Sequence, residues 1–280
     1  MIYTVTLNPS LDYTMKLADF KLGGINRSLS ENIAIGGKGI NISKALHKLH
    51  IRSTVCGYYA GIIGKTIFSE ASHLKLKSIW VNVKGCSRIN VKLETKPETA
   101  INGLGSFATL EDVDRLCNLI ETNDNSFVVL SGSVCNGLPS STYAYMMSKL
   151  KGRFFVDATK DLLTNTLAYK PFLIKPNHEE LGEIFGCEID SFEKAVIYGR
   201  KLCEQGAQNV IVSMGSKGSV FVNQQEEYIR KGSLIDVNNT VGAGDTMLAG
   251  FIYGIIKKFN FKECLNFASE QSEKMLLERL

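Results

Sequence analysis

The chain has 280 residues, of which 44% are hydrophobic and 21% are charged, and its formal net charge is +4. This length and composition are typical of a globular protein with a substantial core and suit one large α/β domain, with or without a small subdomain, or two modest domains. Lys and Arg are spread along the whole chain without a basic arm, so the charge pattern argues against a nucleic-acid-binding protein.

Hydrophobic periodicity divides the chain into two parts. From about residue 109, short apolar strands alternate with helices, which predicts a mostly parallel sheet with helices on both faces. The strands within 13–34 and 79–102 do not fit this alternation, so we expect a single domain, 1–280, with a β lid built from about 12–34 and 87–105. In chain order, the predicted elements are a strand at 2–7, a hairpin within 13–34, a helix at 40–50, a strand at 54–58, a helix at 65–74, strands at 79–83, 88–94 and 99–102, a helix at 109–122, a strand at 127–130, a helix at 140–150, strands at 153–156 and 172–174, helices at 178–186 and 191–205, strands at 209–212 and 219–222, and a helix at 246–257.

Seven cysteines occur at irregular spacing and without a Cys-x-x-Cys pair. This argues against a secreted disulfide framework or a zinc site and predicts reduced thiols in a cytoplasmic protein. The N-terminal residues are typical of a strand and not of a signal peptide. The apolar stretch from Met247 to Ile256 is too short to cross a bilayer, so we expect no membrane contact.

The sharpest motif is Asn239-Thr240-Val241-Gly242-Ala243-Gly244-Asp245, which leads directly into the apolar helix predicted at 246–257. Unpaired N–H groups at a helix start bind anions, and small residues let a phosphate approach closely. An aspartate there can accept a proton from a hydroxyl while those N–H groups hold the developing charge. Taken alone, the motif is explained equally well as a glycine turn in which Asp245 caps the helix.

Three motifs in the first hundred residues suggest binding of a polar ligand. Gly36-Gly37-Lys38-Gly39 opens a helix but is not a Walker loop, because its last position lacks Ser or Thr. It predicts either a close approach of the backbone to a ligand or a tight turn. Asp12 could hold sugar hydroxyls or simply belong to a turn. Arg88, Asn90 and Lys92 alternate along one strand and therefore share a face, either a solvated one or one that closes over a phosphate.

Two motifs in the second half of the chain follow predicted strands. Asn177 and Glu180 lie three residues apart at a strand-to-helix junction, where a metal–phosphate unit could bind. Glu180 could instead be a first-turn acid that the helix dipole favours. The segment from Ser213 to Gly218 is another glycine turn after a strand, and it is weak as a signal by itself.

Together and in this order, the motifs resemble those of the phosphofructokinase-B branch of the ribokinase-like sugar kinases, and most of all bacterial 1-phosphofructokinases and tagatose-6-phosphate kinases. The resemblance implies a three-layer ribokinase-like fold, a homodimer formed through the β lid, and use of ATP and Mg²⁺. It implies transfer of phosphate to the free primary hydroxyl of fructose 1-phosphate or, alternatively, of tagatose 6-phosphate; a remote alternative is an inactive sugar-phosphate-binding regulatory protein. The matching stretches are residues 6–12, 36–41, 88–92, 131–133, 175–177 and 241–245.

The resemblance also implies a role for each matching residue. Asp245 would deprotonate the hydroxyl that attacks the γ-phosphate, and the N–H groups of Gly242, Ala243 and Gly244 would form the anion hole. Glu180 would act on Mg²⁺ indirectly, through water. The implied substrate-binding residues are Asp12, Arg27, Gly37, Lys38, Asn41, Arg88, Asn90 and Ser131, and the implied nucleotide-binding residues are Lys175, Asn177, Glu180, Ser213, Gly215 and Gly218.

The chain departs from the family pattern in its late helix. Family members usually carry small residues beside the adenine there, whereas this chain has Glu270, Glu273 and Lys274. We therefore expect an altered wall at the adenine.

Overall fold

Strands and helices alternate along the chain in the computed structural model, which describes residues 1–95, 99–233 and 240–278. Most predicted elements are present, but α5 and β13 in the list below had no predicted counterpart, and α9 was expected only from the family resemblance. In chain order the elements are β1 (Ile2–Thr6), β2 (Ser10–Lys16), β3 (Ser30–Gly36), α1 (Lys38–Lys48), β4 (Thr54–Tyr59), α2 (Gly61–His73), β5 (Lys77–Asn82), β6 (Arg88–Glu94), β7 (Thr99–Asn102), α3 (Leu110–Leu119), β8 (Phe127–Ser131), α4 (Thr142–Lys149), β9 (Arg153–Asp157), α5 (Lys160–Thr164), β10 (Leu173–Ile174), α6 (His178–Phe185), α7 (Phe192–Glu204), β11 (Asn209–Ser213), β12 (Gly218–Asn223), β13 (Glu227–Lys231), α8 (Ala243–Ile256) and α9 (Phe261–Leu277).

The larger sheet has the order β13-β12-β11-β10-β9-β8-β1-β4-β5. All strands from β11 to β5 in this order are parallel, and β12 and β13 continue the sheet in antiparallel fashion. One face packs against α1, α8 and α9 through residues such as Leu46 and Phe251, and the other packs against α3, α4, α6 and α7 through residues such as Leu116 and Leu202. Helices therefore cover both faces of the sheet, as a parallel sheet requires, and the predicted three-layer architecture is confirmed.

A second sheet has the order β3-β2-β6-β7 and gives the small separate sheet that the sequence predicts. Polar and apolar side chains alternate along its strands, so one face of the sheet is polar and the other is apolar. Asp12 pairs in register with Asn90 on the polar face, whereas Tyr13 pairs with Ile33 and Val91 on the apolar face. The strand expected at 79–83 does not belong here, which corrects that part of the lid prediction: β5 pairs parallel with β4 and forms the edge of the larger sheet.

The structure also bears on the cysteines and on the apolar helices. All seven cysteines are free, as their irregular spacing predicts. Within the described ranges, no helix has the length and apolar character needed to cross a membrane.

Candidate active site

A cleft of about 980 Å³ runs along the edge where the parallel strands β9, β10 and β11 end. This edge is where open α/β sheets bind ligands. We divide the cleft into a lid end on the polar face of the small sheet, a centre at the start of α8, and a far end at α9. The lid end is lined by Asp12, Arg88, Asn90 and Lys92, the centre by Lys38, Asn41, Asp157, Lys175 and the 242–245 turn, and the far end by Gly215, Gly218, Arg230, Gly232, Ser233, Glu273 and Leu276.

The centre is built on the N-terminus of α8. Gly242 has a φ of 87°, a left-handed conformation that glycine adopts without strain, and α8 begins at Ala243. The helix thus starts three residues earlier than predicted, which places Asp245 in its first turn. The N–H of Ala243 donates to the carbonyl of Thr240 at 3.1 Å, so in this structure it does not serve the anion hole proposed for it. Asn239, which opens the motif in the sequence, lies outside the described residues.

Asp245 is an unusual first-turn acid because it is only 6% exposed. Its Oδ2 accepts a hydrogen bond from Nδ2 of Asn41 at 2.8 Å, which ties α8 to α1. Burial and, to a lesser extent, the charge of Asp157 raise the pKa of Asp245 to about 6, against the opposing effects of Asn41, Lys38 and Lys175. A carboxylate with a pKa near neutrality, facing a cleft, has the properties of a general base.

A buried charge chain lies beneath Asp245. Asp157, at the end of β9, is fully buried between two lysines: Nζ of Lys38 lies 2.6 Å from Oδ1, and Nζ of Lys175 lies 3.0 Å from Oδ2. Burial opposes ionisation, but the two ammonium groups still hold the pKa of Asp157 below its usual value. The contact from Lys175 lacks the angles of a hydrogen bond, so Oδ2 has no hydrogen-bond donor among the described residues. Lys175 therefore keeps donor capacity for a ligand in the cleft.

Lys175 also reaches the helix start directly. A Cβ added at Gly244 would lie 3.0 Å from Nζ of Lys175, tighter than nine in ten real contacts. The ammonium group therefore lies directly against the α8 N-terminus, and a side chain at this position would push it away by a few tenths of an ångström. A helix dipole and a cation at one point make a strong anion site.

At the lid end, the carboxylate of Asp12 is held by three neighbouring donors. Oδ1 accepts from the hydroxyl of Ser10 at 2.6 Å and from Nδ2 of Asn90 at 2.9 Å, and Oδ2 lies 2.9 Å from Nζ of Lys92. Although burial opposes it, these bonds lower the pKa of Asp12. A sugar hydroxyl could donate to Oδ2, which accepts only the bond from Lys92, or bond to Asn90, whose Oδ1 is buried without a partner among the described residues.

Arg88 is a cation of the lid end with spare donors. Its Nε donates to the carbonyl of Asn8 at 3.1 Å, which fixes the side chain, and no contact occupies its terminal nitrogens among the described residues. These nitrogens form a fork suited to a phosphate. Arg88, which was predicted from the sequence to contact a phosphate, thus lines the cleft.

Asn177 and Glu180 sit together at the start of α6. They form a capping box in which Oδ1 of Asn177 accepts from the N–H of Glu180 at 2.7 Å, and Oε2 of Glu180 accepts from the N–H of Asn177 at 2.9 Å. Both readings of Glu180 from the sequence are therefore compatible with its position, since it caps the helix and also lines the cleft. Its Oε1 is not used by the capping box.

Helix α9, whose sequence departs from the family pattern, forms one wall of the far end. The inward face of α9 is made of small residues, Ala268, Ser269 and Ser272, whereas Glu270 and Lys274 are exposed. Only Glu273 of the three charged residues reaches the cleft. The expected alteration of this wall is thus confined to one charged side chain.

The cleft brings together nearly all the residues that the sequence singled out. Arg27 is one exception, because it is exposed on the β2–β3 connection and does not line the cleft. Ser131 is the other: it is fully buried and its hydroxyl donates to the carbonyl of Val5 at 3.2 Å, so its proposed substrate contact is corrected to a structural role. Asp157 and Arg230 line the cleft but were not predicted from the sequence. The position of Asp157 directly after an apolar strand was a usable signal, whereas no local pattern marks Arg230.

The chain is similar in sequence and structure to known carbohydrate kinases. A model of the pfkB family of carbohydrate kinases matches residues 5–278. A 1-phosphofructokinase from Bacillus subtilis is 43% identical over 94% of this chain and 88% of its own length. A D-tagatose-1-phosphate kinase from Bacillus licheniformis is 31% identical over 90% of this chain and 84% of its own length. A crystal structure of a Staphylococcus aureus protein, 36% identical, superposes with a TM-score of 0.84 over 99% of this chain and 92% of the other.

Proposed function

The chain belongs to the pfkB family of carbohydrate kinases and is an ATP-dependent sugar-phosphate kinase, and from this premise we propose that it converts fructose 1-phosphate to fructose 1,6-bisphosphate. The similarity to 1-phosphofructokinases is the main support for fructose 1-phosphate as the substrate. The single structural observation that carries the proposal is the convergence of Asp245, Lys175 and the α8 N-terminus at the centre of a cleft with a cationic lid end.

In this proposal Asp245 is the catalytic base. Its carboxylate would take the proton from the primary hydroxyl of the sugar as that oxygen attacks the γ-phosphate. The bond to Asn41 orients the carboxylate without protonating it. Because the group is buried, its ionised form is costly, and the proton affinity is correspondingly high for a carboxylate.

The remaining catalysis is positioning and charge neutralisation, as in other phosphoryl transfers. Lys175 and the N–H groups of Gly242 and Gly244 would face the transferred phosphate, with Ala243 freed for this only if its bond to Thr240 opens. Asp157 would hold Lys38 and Lys175 at a fixed separation, because both ammonium groups pair with its carboxylate.

Mg²⁺ fits this site as a partner of the nucleotide phosphates. No cluster of three or more acidic, His or Cys side chains that could hold a metal by itself occurs in the described ranges. Mg²⁺ commonly keeps several waters and binds through one or two carboxylates plus phosphates. We propose that the unused oxygen of Glu180 holds such a water, with Asn177 beside it. The ion would supply charge neutralisation at the phosphates.

At the lid end, Arg88 would bind the phosphate of the substrate, and Asn90 and Asp12 its hydroxyls. Fructose 1-phosphate and tagatose 1-phosphate differ only in configuration at one carbon, and a relative is named a D-tagatose-1-phosphate kinase. Tagatose 1-phosphate is therefore a second candidate beside the tagatose 6-phosphate that the sequence suggested.

An ADP-release assay with fructose 1-phosphate, tagatose 1-phosphate, tagatose 6-phosphate and fructose 6-phosphate tests the proposal. We expect the highest kcat/KM with fructose 1-phosphate. A higher value with either tagatose phosphate would replace the substrate assignment. No turnover with any of the four, together with measurable sugar-phosphate binding, would favour the inactive regulatory protein.

We also propose that the chain forms a homodimer through its small sheet. The apolar face of that sheet exposes Ile33 and Ile101 by 60% and 59%, with Tyr13 and Val91 between them in register. Burying such a face against a second copy would remove this apolar surface from water. The free cysteines and the use of ATP support a cytoplasmic location.

A further inference from the structure

The far end of the cleft carries an ion pair at the position where the late helix departs from its family. Nη2 of Arg230 on β13 lies 3.1 Å from Oε2 of Glu273 on α9. The same carboxylate accepts the hydroxyl of Ser233 at 3.0 Å and its N–H at 3.1 Å. The side chains of Arg230 and Glu273 are 24% and 21% exposed, so the pair is largely enclosed. Three donors therefore fix this carboxylate in the wall of the cleft.

The carboxylate is fixed but not saturated. Oε2 accepts two hydrogen bonds, whereas Oε1 accepts only the one from the N–H of Ser233. A carboxylate oxygen can accept about two hydrogen bonds. Glu273 thus offers one more acceptor position, and its fixed orientation means that little entropy is lost when a donor binds there.

The pair lies at the place where a nucleoside must extend. The hydroxyl of Ser272 donates to the carbonyl of Ala243 at 3.0 Å, which puts the next residue, Glu273, beside the first turn of α8. If the phosphates of ATP lie at that turn and the sugar phosphate occupies the lid end, as the proposed function on which this inference rests has it, the far end is the part of the cleft left for the nucleoside. Leu276, one turn further along α9, adds apolar surface there, which suits a purine ring better than a ribose.

We infer that Glu273 is a specificity-determining residue that accepts a hydrogen bond from the 6-amino group of adenine, while Arg230 holds the carboxylate in place. Hypoxanthine, the base of ITP, carries an oxygen at position 6 instead of the amino group. That oxygen would face the carboxylate, acceptor against acceptor, and would leave Oε1 without a donor. The protein therefore distinguishes ATP from ITP at this position.

The test compares kcat/KM for ATP and ITP in the wild-type protein and in Glu273→Gln. We expect the wild type to favour ATP by roughly 10- to 100-fold, the range for a hydrogen bond to a charged group. The glutamine amide replaces one acceptor oxygen by an N–H donor and removes the charge, so the preference for the amino group of ATP should weaken and the ratio should fall towards one. The KM for fructose 1-phosphate should stay at its wild-type value. Glu270→Gln is the matched control, because Glu270 is an exposed acid on the same helix outside the cleft, and it should keep the wild-type ratio.

Three outcomes would overturn the inference. If Glu273→Gln lowers kcat/KM for ATP and ITP by the same factor, the pair is only a brace between β13 and α9. If the ratio of ATP to dATP changes and that of ATP to ITP does not, the carboxylate contacts the ribose. An equal wild-type kcat/KM for ATP and ITP excludes recognition of the amino group altogether. If no sugar phosphate is turned over, the proposed function fails separately, and calorimetric titration of the same proteins with ATP and ITP still decides the role of Glu273.

Discussion

Replacement of Asp245 by Asn separates catalysis from stability. The amide keeps the size of the carboxylate, and its oxygen can still accept the hydrogen bond from Asn41 that Oδ2 accepts at 2.8 Å. The geometry of the α8 start should therefore persist. Only the capacity to take a proton is lost, and we expect kcat to fall by about 10²-fold or more with substrate binding retained.

The stability of the folded state should change in the opposite direction. Burial raises the pKa of Asp245 from 3.8 to about 6, so the folded chain binds this proton more tightly than the unfolded chain does. Wild-type stability is therefore lost as the pH rises from about 4 to about 6. At pH 7 the shift corresponds to roughly 3 kcal/mol, at about 1.4 kcal/mol per pKa unit. Asp245→Asn carries no such cost and should be more stable at pH 7 by up to this amount, with the difference vanishing below about pH 4.

The pH profile gives a third readout. With a pKa of about 6, about a tenth of Asp245 is ionised at pH 5 and about nine tenths at pH 7, so kcat/KM should rise about 10-fold between them. The residual rate of Asp245→Asn should lack this rise. Steady-state kinetics and urea denaturation at pH 5 and 7 measure these effects, and exposed Asp124→Asn is the control for an acid-to-amide change. A near-normal kcat in Asp245→Asn would refute its role as the base, and a loss of stability at pH 7 would refute the cost assigned to the buried charge.

Three further predictions concern other parts of the molecule. Asp157→Asn leaves the buried Lys175 and the partly exposed Lys38 without their counter-charge and should lower the free energy of unfolding by about 3–5 kcal/mol, whereas Asp114→Asn, which breaks a half-exposed ion pair, should cost less than about 1 kcal/mol; equal losses in denaturant melts would contradict the argument. Arg88→Ala should raise the KM for fructose 1-phosphate by roughly 10- to 100-fold and leave the KM for ATP near its wild-type value, and a rise in both would mean a general distortion of the cleft. Replacing Ile33 and Ile101 together by Lys should convert a dimer into a monomer in sedimentation experiments, and a persistent dimer would place the interface elsewhere.

The sequence was sufficient for the fold class and for the centre of the site because both depend on local patterns. The alternation of apolar strands and helices in the second half of the chain requires a covered parallel sheet. The glycines before Asp245 can be recognised as a helix start without any knowledge of the partners. The alternation of Arg88 and Asn90 likewise places both side chains on one face of a strand wherever that strand pairs.

What only the tertiary structure decided were contacts between segments far apart in the chain. Asp157 lies 119 residues from Lys38, and only the neighbouring ends of β9 and β10 bring its carboxylate between that lysine and Lys175. Strand pairing likewise placed β5 in the larger sheet, although its sequence could equally have belonged to the small one.

Helix α9 is the clearest example of this difference between what the sequence and what the tertiary structure determine. Its sequence reveals three charged residues where small ones are usual, but a list of residues does not say which of them face inward. The rotation of α9, set by its packing on α8, sends Glu270 and Lys274 to solvent and turns Glu273 towards Arg230 on a strand 43 residues away. Sequence determined which chemical groups the cleft could hold, and tertiary packing determined which of them it does hold, because burial and pairing of a side chain depend on neighbours that the local pattern does not contain.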